Sequence, residues 1–97
     1  MATFVTLVNW TEQGIQNYQD TPKRAEAFEQ LVTQQGGTLR EILWTIGPYD
    51  IVAVVDAPDD ETMTAVALQT SALGNIRTTT LRGFNKDEFA AIIQKTR

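Results

Sequence analysis

The sequence predicts an α+β sandwich of order βαββαβ, and three observations predict it. Gly47-Pro48-Tyr49-Asp50 stands between two apolar runs, Ile42-Leu43-Trp44-Thr45-Ile46 and Ile51-Val52-Ala53-Val54-Val55, near the middle of a 97-residue chain. Gly and Pro at that place read as a tight turn joining two strands. A helical pattern lies on each side of this hairpin, and a further strand pattern lies outside each helix. Four strands and two long helices in that order make a ferredoxin-like fold, an antiparallel sheet carrying both helices on one face, here with a trailing helix.

Taken in order, Thr3 to Trp10 alternates two β-rich sets, Thr3/Val5/Leu7/Asn9 and Phe4/Thr6/Val8/Trp10, and neither is wholly polar. Both faces of this strand are therefore expected to be covered. Thr11 is placed to cap a short turn through Gln13-Gly14-Ile15, with Trp10 and Ile15 spaced as a hydrophobic staple. Thr21-Pro22 predicts a helix start, Thr as N-cap and Pro at the first helical position, and the helix runs to about Gln35 before Gly36-Gly37. Its apolar stripe is Ala25, Phe28, Leu31 and Val32.

The strand Thr38 to Ile46 alternates Arg40/Ile42/Trp44/Ile46 with Leu39/Glu41/Leu43/Thr45. Ile51 to Asp56 is nearly continuous apolar, as a central strand buried on both sides would be. Pro58-Asp59-Asp60-Glu61 opens a second helix, its acidic residues set where the helix dipole favours them, and Met63, Val66, Ala67 and Thr70 form its inner stripe. Gly74-Asn75 ends it, and Ile76 to Phe84 is the last strand. Asn85 and Glu88 have capping-box spacing, Phe84 and Phe89 staple spacing, and Ile92 and Ile93 continue the stripe of a C-terminal helix.

Composition bounds the chemistry. The whole length, 1–97, is expected to form one domain. Net charge is −4 and the eight basic residues are dispersed, which argues against a nucleic-acid partner. With no cysteine and no histidine there is no disulfide, no thiolate or imidazole metal site, and no Ser-His-Asp or Cys-His mechanism. No cofactor and no metal is expected. Met1-Ala2-Thr3-Phe4 lacks a basic leader, and no apolar run approaches the about 18–20 residues of a membrane span, so a cytoplasmic protein without a membrane partner is expected.

Several separated segments carry a family resemblance. Asn9-Trp10-Thr11-Glu12-Gln13-Gly14-Ile15, the Gly47-Pro48-Tyr49-Asp50 turn, Asp56-Ala57-Pro58-Asp59-Asp60 and Gly74-Asn75-Ile76-Arg77-Thr78-Thr79-Thr80-Leu81-Arg82 together resemble the GYD domain family of small prokaryotic proteins. The resemblance spans nearly the whole chain. It implies a ferredoxin-like protomer that pairs into a dimeric α/β barrel, and it brings no catalytic residues.

The candidate ligand-binding residues are Asn9, Trp10, Trp44, Tyr49, Asp50, Thr78, Thr80 and Arg82. Tyr49 and Asp50 offer a donor and an acid at the hairpin; the alternative is that Asp50 satisfies turn amides and Tyr49 covers a core edge. Arg82 shares a strand face with Thr78 and Thr80, a guanidinium beside two hydroxyls that suits a carboxylate or phosphate; the alternative is an ion pair with Glu41 or Asp56. Asn9, Trp10 and Trp44 resemble the sets that orient aromatic substrates in cofactor-free oxygenases of barrel type, or else the Trp residues fill a core or a dimer interface. The acidic group Asp56, Asp59, Asp60 and Glu61 is explained by helix capping, and Lys23-Arg24 is too short a basic run to claim a phosphate or nucleic-acid site.

These readings lead to a homodimer, or a multiple of it, whose aromatic strand residues are buried at the interface. The chain is expected to bind a small anionic or aromatic molecule between sheet and helices. The alternatives are a cofactor-independent isomerase or monooxygenase and a structural assembly module. A cleft filled by Trp10, Trp44 and Phe84 would favour the last.

Overall fold

A computed structural model describes residues 1–97. The elements are β1 (Ala2–Trp10), α1 (Glu12–Gln16), a 3-10 turn (Tyr18–Asp20), α2 (Thr21–Gln34), β2 (Thr38–Trp44), β3 (Ile51–Ala57), α3 (Asp60–Ser71), β4 (Ile76–Gly83) and α4 (Lys86–Gln94). The sheet order is β2-β3-β1-β4 with every neighbour antiparallel, which is the ferredoxin-like arrangement. None of the helices is long and apolar enough to cross a membrane.

Side-chain alternation decides what each face holds. Phe4, Thr6 and Val8 of β1 and Ile51, Ala53, Val55 and Ala57 of β3 are buried, and across to β4 the same face continues through Thr78, Thr80 and Arg82, paired with Val8, Thr6 and Phe4. The main core joins Phe4, Val55 and Ala57 to Val32 of α2 and Met63 and Val66 of α3. It sits where β1 begins and β3 ends, since Ala2 pairs with Ala57. On the other face Val5, Leu7, Val52 and Val54 are only half-buried and Leu43 and Leu81 are exposed. The sequence predicts strands covered on both sides, and within one chain only one side is covered.

Two sequence readings change. Thr21 does not cap α2: the 3-10 turn runs directly into the helix, Asp20 takes the cap position with no side-chain bond, and the Thr21 hydroxyl instead accepts from Trp44 Nε1 at 3.1 Å. The alternation of β2 breaks at a bulge between Leu39 and Glu41, so that Leu39 pairs with Val55 and Trp44 with Ile51, both on the helix side. Leu39 thus joins the face of Ile42 and Trp44. Trp10 and Trp44 therefore lie under the helices and not on the open face. An interface on that face would bury Val, Leu and Thr side chains in place of aromatic ones. The other caps stand as expected: Thr11 accepts from the Gly14 amide at 3.1 Å, Asp59 from the Thr62 amide at 2.8 Å, and Asn85 and Glu88 form a reciprocal capping box.

Gly14 is buried in α1 because backbone of the segment before β4 lies against it: an added Cβ would fall 2.0 Å from the Asn75 carbonyl oxygen. Gly47, at φ +129 in open space, serves dihedral freedom instead. The Gly14 contact yields a test of sign. Helix propensity alone predicts that Gly14→Ala stabilises by about 1 kcal/mol, whereas the clash with main chain predicts destabilisation of at least about 2 kcal/mol. Thermal unfolding of the variant is expected to show a lowered melting temperature; a raised one would show that α1 moves freely off Asn75.

Candidate functional site

Between the sheet and the two long helices, beside the core, lies a cavity of about 270 Å³. Its walls are largely apolar, with Val8, Phe28, Leu31, Ile42, Met63 and Ala67 among them. Exposed Gln69 and Leu73 of α3 and its following loop also line it, so the cavity reaches the surface there. The cause is local. The six-residue core closes the sandwich at the start of β1, while at the other end of the strand the helix stripes supply the small side chains Ala25 and Ala67 over Ala53.

The end of the cavity near Trp10 is polar. Here β1 ends, β4 begins and α2 takes its first turn, which brings Trp10, Thr21, Arg24 and Asn75 onto the wall. The Arg24 guanidinium reaches back to α1 and donates through Nη2 to the carbonyls of Gly14 at 3.2 Å and Asn17 at 3.0 Å. Its Nη1 is buried without a partner, and so is Nε1 of Trp10. The chain's one ion pair, Arg40 with Asp56 at 3.7 Å, lies on the open face of the sheet. Arg24 is the only ionisable residue on the cavity wall.

Of the residues expected from sequence, Trp10 and Thr78 line this cavity, and Trp44 touches its edge through Thr21. Asn9 is exposed on the opposite face, opposite Arg77 of β4. Tyr49 and Asp50 are absent from the wall and hold the hairpin: the Tyr49 carbonyl accepts from the Thr45 hydroxyl at 2.6 Å, and Asp50 Oδ2 accepts from the Trp10 amide at 2.9 Å. Thr80 and Arg82 line an adjoining groove of about 360 Å³ against α3, which shares Met63, Ala67 and Thr78 with the cavity and where Asp60 also stands. Arg82 there packs over the rings of Phe84 and Phe4, with its guanidinium carbon 4.5 and 5.7 Å from their centroids, and donates to the carbonyls of Gly83 and Thr3. The alternative of an ion pair to Glu41 or Asp56 does not hold, because those residues extend from the other face.

The model of the GYD domain matches residues 4–93. The chain belongs to the GYD domain family. A Thermus thermophilus protein described as a glutamine synthetase and cystathionine beta-lyase binding protein is 30% identical over 82 residues, spanning 84% of this chain and 86% of that protein. Among solved structures, a Thermus thermophilus protein at 26% identity has a TM-score of 0.57 and is covered over 95% of its length, 88% of this chain. The feast or famine regulatory protein of Mycobacterium tuberculosis, solved in complex with L-methionine, has a TM-score of 0.68 at 14% identity. This GYD domain matches it over 89% of its own length but spans only 52% of that regulator, so the likeness is one of fold.

The residue that sequence reasoning passes over in this GYD domain is Arg24. A pair of basic residues, Lys23-Arg24, carries no motif, and the importance of Arg24 lies in what it lacks, a carboxylate partner, which only the folded geometry displays. One signal was available: Arg24 falls one position before Ala25, at the border of the apolar stripe and not on the outer face. Asp50, by contrast, works through Trp10. Asp50→Ala removes a carboxylate acceptor from a half-buried amide, and a loss of about 1–3 kcal/mol is expected in urea unfolding. An unchanged midpoint would show that the bond contributes nothing.

Proposed function

We propose that this GYD domain is a small-molecule-binding protein whose ligand, of the anionic or aromatic kind, occupies the cavity between sheet and helices. The observation that carries the reading is the cavity itself. A cleft of about 270 Å³ with largely apolar walls leaves hydrocarbon against water, at a cost of about 25 cal/mol per Å² of apolar surface. A small apolar or aromatic body that fills the space recovers much of that. Catalysis receives less support, since an isomerase or monooxygenase needs an acid or base at the substrate and the wall offers only a guanidinium. The methionine complex of the regulator adds a precedent for the fold alone; the ligand class here rests on this chain's own residues.

The second part of the proposal is assembly in the cytoplasm as a homodimer. The open sheet face presents Val5, Leu7, Leu43, Val52, Val54 and Leu81, rimmed by charges of both signs in Arg77, Glu41 and the Arg40–Asp56 pair. Such a face is self-complementary across a two-fold axis. Helix α4 likewise has no substantial packing partner within the chain, while Phe89 and Ile93 on it are exposed. The extents of 52 × 30 × 18 Å show how far the chain departs from a sphere. A second copy covers both apolar surfaces. The protein-binding role named for the Thermus relative fits a structural assembly module and would compete for the same surfaces.

Two measurements test these readings. In a thermal-shift screen of small aromatic and aliphatic compounds, neutral and anionic, a ligand at ten times its Kd is expected to raise the melting temperature by roughly 5–10 °C. Ala25→Phe, at a position that lines the cavity and not the groove beside Arg82, is expected to abolish the response while circular dichroism shows the fold retained; a response that survives it places binding elsewhere. Light scattering of the wild type is expected to give a dimer, and Val54→Arg, which sets a charge at the centre of the open face, a monomer. A monomeric wild type at micromolar concentration would leave that face to a different protein.

A further inference from the structure

The groove beside the cavity holds two opposite charges that do not meet. Its walls are a stripe of α3, with Asp60, Thr64 and Ala67 on successive turns, and one face of β4, with Thr78, Thr80 and Arg82. The two elements run antiparallel. Helix α3 begins just beyond Ala57, which pairs with Ala2, and β4 ends at Gly83, which pairs with Thr3, so Asp60 and Arg82 stand at the same end of the sandwich. From there roughly 10 Å of helix and roughly 13 Å of strand lead to Ala67 and Thr78, which the groove shares with the apolar cavity. The Arg82 guanidinium lies in the groove, its carbon 5.7 Å from the ring centre of Phe4, which also lines it. Its Nη1 donates to the carbonyls of Thr3 and Gly83, while Nε and Nη2 of this exposed residue make no bond within the chain. Asp60 is exposed as well. Its carboxylate has no partner, since Asp59 caps α3 and the chain's one ion pair is Arg40 with Asp56.

A ligand that uses both charges brings an anion to Arg82 and a cation to Asp60. Inorganic phosphate or a simple carboxylate would meet Asp60 as a like charge, and a simple amine would meet Arg82 as one. The two free nitrogens of Arg82, Nε and Nη2, donate in parallel from one edge of the guanidinium, which suits the two oxygens of a carboxylate. That edge is in place beforehand, because two carbonyls and the rings of Phe4 and Phe84 already hold the side chain. A carboxylate and an ammonium on one carbon leave a third substituent to run past Ala67 and Thr78 toward the cavity, where only an apolar group avoids the cost of a polar one against hydrocarbon. We propose that the ligand is an α-amino acid with an apolar or aromatic side chain, its carboxylate on Arg82, its ammonium on Asp60 and its side chain directed along the groove into the cavity. This rests on the cavity being the ligand site and adds the class of ligand and the two residues that select its head group.

Calorimetry with compounds that share one body tests it: L-phenylalanine against hydrocinnamate, which lacks the ammonium, and phenethylamine, which lacks the carboxylate, with the same series built on L-leucine. The wild-type protein is expected to bind an amino acid at least tenfold more tightly than either of its analogues. Arg82→Met, which keeps a long apolar stem over Phe4 and Phe84, is expected to weaken the amino acids at least tenfold and leave the amines no weaker. Asp60→Asn, which leaves the Asp59 cap in place, is expected to weaken the amino acids at least tenfold and leave the acids no weaker. Both residues are exposed, and circular dichroism checks that each variant folds; should Arg82→Met fail, Asp60→Asn and the analogues decide. Acids binding as tightly as amino acids would overturn the role of Asp60, and amines binding as tightly that of Arg82, in either case while the cavity stands as a binding site. A preference for amino acids that survives both variants would overturn the head-group site. Amino-acid binding untouched by Ala25→Phe would overturn the placing of the side chain in the cavity. No binding by any of the six compounds would overturn the cavity reading and the assignment with it.

Discussion

The contact of Gly14 with the main chain at Asn75 is the constraint on which the cavity end of this structure depends. Only a residue without a Cβ lets α1 sit this close, and the approach is closed by a ring of bonds: Thr11 N–H to the Asn75 carbonyl at 3.0 Å, the Thr11 hydroxyl to the Gly74 carbonyl at 2.6 Å, and Gln13 Nε2 to the Leu73 carbonyl and to Asn75 Oδ1 at 3.1 and 3.0 Å. These tie the exit of β1 to the entry of β4, strands that are already neighbours. Once α1 is fixed there, its carbonyls at Gly14 and Asn17 face the first turn of α2 and hold the Arg24 guanidinium. Backbone packing at a glycine is thus converted, through two carbonyls, into the position of a charge inside an apolar cleft.

The two ends of the sandwich answer different demands. At the start of β1 the side chains of Phe4, Val32, Val55, Met63 and Val66 are large enough to meet, and they carry the hydrophobic stability of the protomer. At the end of β1 the corresponding positions are Ala25, Ala53 and Ala67, which do not meet, and the space between them is the cavity. Closing one end fully is what allows the other to stay open in a chain of this size. The open sheet face adds a separate demand, because a small domain leaves a large share of its apolar surface uncovered and a partner is the ordinary remedy.

How much of this was legible in the sequence varies with the physics involved. Local signals spoke clearly: the Gly-Pro turn at 47–48, the Thr11 cap and the Asn85/Glu88 box depend on residues a few positions apart, and strand order followed from them. Thr21 misled because its cap signal was local while its actual partner, Trp44, lies on another element. The bulge at Arg40 was invisible to a strict period of two, and it alone turned Leu39 to the helix side. Among site residues, Thr78 came from strand alternation and Trp10 from analogy with cofactor-free oxygenases of barrel type, whereas Asp50 was assigned to the turn or to a ligand and in fact bonds β1. For Arg24 the sequence offered only its place at the border of the apolar stripe, because an unmet hydrogen bond is a property of three-dimensional surroundings, not of composition.

The unmet bonds and the loosely packed volume both cost the folded chain stability. A buried donor left without an acceptor costs about 1–3 kcal/mol, and two of them beside an unfilled cavity take a sizeable share of the roughly 5–15 kcal/mol available to a chain of this length. A structure optimised for stability alone would place a carboxylate beside Arg24 or enlarge Ala53 and Ala67. Either change would also remove what a ligand gains on entering, since affinity arises from groups that are poorly solvated before binding and satisfied after it. The Arg24 side chain is already held by the carbonyls of Gly14 and Asn17, so little of its conformational entropy remains to be lost. Incomplete packing and incomplete hydrogen bonding thus fall at the same end of the sandwich, the end at which the proposed ligand would add packing that the chain itself does not supply.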